Sequence, residues 1–69
     1  MTNVALLDSK IKESGLTNVF IARKLGISRS SLWRKRKGLA QFNQYEIDGL
    51  CKLLNITSLT EKESIFFTH

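Results

Sequence analysis

Apolar residues recur along this chain three and four positions apart, and nowhere do they alternate over the length of a strand. Val4, Leu7 and Ile11 make one stripe and predict a first helix from near Asn3 to about Ser14. Asp8, Lys10, Lys12 and Glu13 fall on its outer face, and Gly15 is its expected left-handed stop. Ile47, Leu50, Cys51 and Leu54 stand at i, i+3, i+4 and i+7, the clearest amphipathic pattern present, and predict a helix over about Gln44 to Leu54.

Polar residues mark where such helices begin. Leu16-Thr17 precedes a run containing Ile21, Ile27-Ser28 precedes one containing Leu32, and Phe42-Asn43 precedes the run with Ile47. In each, the polar side chain can accept from an orphan N–H of the first turn, and the preceding apolar residue lies five positions before another, the spacing of a hydrophobic staple. Glu46 adds a capping box to the Asn43 start. These signals place helices over Asn18 to Leu25, closed by Gly26, and over Arg29 to Lys37, closed by Gly38. A last short helix is expected near Glu61 to Phe67, capped by Ser58 with Glu61 or by Thr60 with Glu63. With no repeat, linker or low-complexity tract, residues 1–69 read as one compact all-α domain of five helices.

Size limits what this domain can do. A chain of 69 residues buries only about 60% of its unfolded surface, so the core is thin and a large concave active site is hard to build. One cysteine and one histidine make neither a disulfide nor a zinc site, and Cys51 is expected as a buried structural thiol. His69, the last residue, is expected to be disordered. No apolar run approaches the roughly 18 residues of a membrane span, and the start of the chain lacks the pattern of a signal peptide. A reducing cytoplasm is the expected compartment. No glycine-rich phosphate loop or nucleophile-base arrangement is present, so neither an enzyme nor a cofactor, metal or small-molecule site is expected.

Charge sharpens the reading. Between Glu13 and Glu46 there is no acidic residue, while Arg23, Lys24, Arg29, Arg34, Lys35, Arg36 and Lys37 give that interval +7. The remainder carries four bases against six acids. A block of one sign inside a folded domain points to a polyanionic partner.

The segment Asn18-Val-Phe-Ile-Ala-Arg-Lys-Leu-Gly-Ile-Ser-Arg-Ser-Ser-Leu-Trp-Arg-Lys-Arg-Lys resembles the helix-turn-helix of the lambda repressor and Cro-like (Xre-type) family, placing that motif at residues 17–38. Ala22 is the small residue at the helix crossing, Gly26 takes the tight turn, and Ile21, Leu25, Ile27 and Leu32 supply the apolar wedge. Five short helices are also the family's architecture, and the chain is similar to small regulators of phages or mobile elements. One position departs from the pattern. Where the family often has an apolar residue, this chain has Lys35, followed by Arg36, so lysine and arginine stems are expected to hold the end of the third helix. Trp33 either compensates by folding over Leu39 or Phe42, or faces outward.

The resemblance implies a transcriptional regulator binding double-stranded operator DNA, with the third helix in the major groove. Carried onto this chain, Arg29, Ser30, Trp33 and Arg34 would face base edges, Arg29 foremost because a guanidinium bonds both acceptors of guanine. Trp33 would touch a thymine methyl or the backbone if it does not fill the core. Phosphate contacts would come from Thr17, Asn18, Asn43 and Gln44 at helix N-termini, from Ser28 and Ser31, and from Lys37, Gly38 and Gln41 in the following loop. Ile65 and Phe66-Phe67 would partly seal the core against the first helix, and any surplus would serve a homodimer, which implies half-sites about 34 Å apart. Two other readings stay open: a protein-interaction module such as an antirepressor or adaptor, and a DNA-binding recombination accessory factor.

Overall fold

The computed structural model describes residues 1–67, so the expectation for His69 falls outside the described part. Five helices follow one another: α1 (Val4–Ser14), α2 (Asn18–Leu25), α3 (Arg29–Arg36), α4 (Gln44–Leu53) and α5 (Leu59–Phe66). The described residues contain no strand. No helix among them is long and apolar enough to cross a membrane.

Each helix starts on a side-chain cap. Asn3, Thr17, Ser28, Asn43 and Ser58 all have extended backbones, and each side chain accepts from the N–H three residues on. Asn43 and Glu46 complete the expected capping box. Boundaries shift by a residue at several ends: Asn3 is a cap rather than the first turn of α1, Lys37 caps α3 rather than continuing it, and α4 stops at Leu53. Of the two caps expected for α5, Ser58 with Glu61 is the one formed, and the helix it opens begins at Leu59, two residues before the expected start near Glu61. Leu59 is exposed and lies off the apolar stripe, which hid that first turn from the periodicity.

Helix ends use one hydrogen-bond pattern three times. After α2 the Ile27 N–H donates to the Ala22 carbonyl at 3.0 Å while Gly26 N–H donates to Arg23 at 3.2 Å. Leu39 and Gly38 repeat this after α3, and Ile56 and Asn55 after α4. The pattern needs a left-handed residue at its centre. Gly26 has φ 72° with no atom within 4 Å of where a Cβ would stand, so Gly26→Ala tests backbone strain alone. It is expected to cost about 1–2 kcal/mol, read as a lower urea midpoint; an unchanged midpoint would mean the turn relaxes.

The core draws on every helix: Leu7 and Ile11 from α1, Ile21, Ala22 and Leu25 from α2, Leu32 from α3, Ile47 and Leu50 from α4, Ile65 and Phe66 from α5. Phe42 and Ile56 close it from the connections, Phe42 meeting Phe66 edge to face at 5.8 Å. α2 packs on α3 and α4, and α1 packs on α3 and α5. At Gly49 the α4 backbone comes close to α2, where a Cβ would lie 2.6 Å from Leu25 Cδ2. Polar ties hold α5 in place. The Asn3 N–H donates to the Ile65 carbonyl, Lys10 pairs with Glu61, and Lys62 pairs with Asp48, whose carboxyl that hydrogen bond holds below its ordinary range. Cys51 is half-buried rather than buried, and loss of solvent pushes its thiol pKa up, which disfavours the nucleophilic thiolate.

Candidate nucleic-acid interface

Helix α3 gives the core a single buried side chain, Leu32. One buried leucine fixes a helix poorly in rotation and tilt, and the remaining fixation is electrostatic. Lys35 Nζ donates to both oxygens of Glu46, at 2.7 and 2.6 Å, and the Glu46 side chain is only 3% exposed. The same carboxylate accepts from the Asn43 N–H at 2.9 Å, so the α4 cap and the α3 anchor share one group. Arg36 reaches the other way, donating to Asp8 Oδ1 on α1 at 2.8 Å and to Asn18 Oδ1 at the start of α2. The charged heads, and not only the stems, therefore hold the end of α3. Lys35 and Arg36 also lie in the last turn, where positive charge is favoured by the helix dipole.

These pairings divide the basic block. Lys35 and Arg36 are neutralised within the fold, while Arg23, Lys24, Arg29, Arg34 and Lys37 have no acidic partner among the described residues. Lys24 instead lies 5.5 Å from the centre of the Phe20 ring. Local excess positive charge thus remains on α2, on α3 and just beyond it.

Trp33 does not fold back. It is 54% exposed, while Phe42 packs edge to face against Phe66. With Arg29, Ser30 and Arg34 it lines one shallow concavity whose other wall is Asn18 and Val19 of α2. All four side chains expected to face bases thus share one surface. Spacing explains it: 29 with 33 and 30 with 34 are i,i+4 pairs, neighbours on a helix face. Leu32 points the opposite way into the core and so sets the orientation of this face.

The expected phosphate-binding residues are more scattered. Thr17, Ser28 and Asn43 are exposed but occupied as caps, and Ser28 Oγ also donates to Ser31 Oγ at 3.1 Å. The Asn18 side-chain oxygen Oδ1 accepts from Arg36. Lys37 and Gln41 are exposed on the connection that Gly38 turns at φ 79°. Gln44 is not brought to the concavity. Its amide donates to Asp48 at 3.0 Å, and it borders a separate depression with Leu59, Lys62, Glu63 and Phe67. Ile65 and Phe66 are buried, which leaves Phe67, 46% exposed, as the apolar surplus of the C-terminal segment.

Sequence reasoning missed Val19, since an isolated exposed valine on a helix carries no signal until α3 is placed beside it. It also missed Glu46 as the partner of Lys35, although a glutamate near an otherwise buried lysine position is a signal that could have been sought. The described residues include no cluster of three or more His, Cys, Asp or Glu side chains able to hold a metal ion. No family model matches this chain, and no curated protein and no solved structure matches it.

Proposed function

We propose that this chain is a sequence-specific double-stranded DNA-binding regulator of the lambda repressor and Cro-like type, using α2 and α3 as its helix-turn-helix and α3 as the recognition helix. The observation that carries this reading is the outward face of α3. Arg29, Ser30, Trp33 and Arg34 stand together, exposed, with neither guanidinium having an acidic partner among the described residues. Eight helical residues span about 12 Å, a length that enters a major groove about 12 Å wide. The connection of Gly26, Ile27 and Ser28 and the rigid attachment of Leu32, Lys35 and Arg36 would present that face as a fixed unit. The role is one of binding, with no catalytic group required, and a second copy would supply the other half-site.

The reading as an antirepressor or adaptor drew on Lys35 and Arg36 at unusual positions. Their internal ion pairs account for both, so that ground no longer favours a protein partner. Selection from random duplex DNA by the purified protein tests the proposal. An enriched two-fold-symmetric motif is expected; failure to enrich any sequence, with weak binding to all, would overturn it.

A further inference from the structure

Two exposed apolar side chains lie at the middle of a surface otherwise built for charge. Trp33 is 54% and Val19 45% exposed, and they line the same concavity as Arg29, Ser30 and Arg34. Neither belongs to the buried core or to the partly buried residues packed against it. We propose that this concavity reads the C5-methyl group of a thymine lying within two base pairs of a guanine, with Trp33 and Val19 as its apolar floor and Arg29 as the guanine contact. The inference rests on the duplex-DNA reading above and names the chemistry it selects.

The match is one of complementary groups. On the major-groove edge the thymine methyl is the one apolar substituent, and guanine O6 and N7 are the paired acceptors suited to a guanidinium. Trp33 follows Arg29 by four residues, about 6 Å along the helix axis, less than two base-pair rises of 3.4 Å. An indole and a valine beside a guanidinium therefore fit a methyl beside a guanine. Asn18 borders the same concavity, and its side-chain oxygen accepts from Arg36.

The test replaces each thymine of the selected duplex in turn by deoxyuridine, which lacks only the methyl. One position in each half-site is expected to lose about fourfold in affinity, the factor for one buried methyl. In Trp33→Ala the thymine and deoxyuridine duplexes should bind alike at that position, and in Val19→Ser the difference should shrink. Both sites are exposed, so both variants should fold. A duplex bound selectively with no position sensitive to the methyl would overturn this inference while leaving the DNA reading intact. The same holds if the sensitivity persists unchanged in both variants. If the wild-type protein selects no duplex, the DNA reading fails and this inference with it.

Discussion

Lys35→Met is expected to lower the stability of the protein by about 3 kcal/mol, the low end of the range for removing one partner of a buried ion pair. Without the ammonium, the Glu46 carboxylate keeps only the Asn43 N–H as a donor, in a position where its side chain is 3% exposed. The low end applies because the Lys35 side chain is 18% exposed and water reaches its rim. For a chain of 69 residues, total stability is on the order of 5 kcal/mol, so this single loss removes most of it. Glu46→Gln should cost less: the amide oxygen still accepts from Asn43, and the lysine can swing into solvent. Lys35→Met combined with Glu46→Leu should regain much of the loss, since apolar pairs of similar volume often replace buried ion pairs without penalty. Urea unfolding of the three variants checks the order. Equal costs of a few tenths of a kcal/mol for both single variants would make the pair an ordinary surface bridge.

The arrangement around Lys35 also shows which parts of the fold were legible in advance. Caps at Thr17, Ser28 and Asn43 and turns at Gly15, Gly26 and Gly38 are local, each decided within five residues, and all appear where the sequence placed them. The ion pairs link positions 11 and 28 residues apart, and no local rule connects them. Position 35 looked like a defect in an apolar pattern because its partner lies on another helix. For α5 the Ser58 cap is legible but the turn it opens is not, because Leu59 is apolar yet solvent-facing and hydrophobic spacing points past it. Phe42, which Trp33 was a candidate to cover, packs instead on Phe66, 24 residues away in the chain, and Trp33 stays exposed.

Arg29→Ala is expected to separate binding from folding. Arg29 occupies the first position of α3, where the helix dipole disfavours positive charge, and the first turn contains no acidic residue to offset it. Its removal should leave stability unchanged or raise it by a few tenths of a kcal/mol. The same change should cost about 1–3 kcal/mol of discrimination at one base pair, seen as relaxed preference at that position of the selected motif. Arg29 is thus a cation held where the helix dipole disfavours it, with no acidic partner among the described residues, as expected of a residue whose role is to meet a ligand. Lys37→Ala should behave differently, weakening all duplexes alike and reducing the salt slope by about one. Uniform losses from both substitutions would refute this division between base reading and phosphate binding.

The cations of α2 and of the connection beyond α3, which have no acidic partner among the described residues, should meet a phosphate backbone while the α3 face reads bases. Titration of the selected duplex and a scrambled one across about 50 to 200 mM salt tests it most directly. With two or three of Arg23, Lys24 and Lys37 neutralising phosphates, log affinity should fall against log salt with a slope of about −1.8 to −2.7 per protomer. The selected duplex should stay tighter than the scrambled one throughout. A slope near zero, or equal affinity for both duplexes at every salt concentration, would contradict the account.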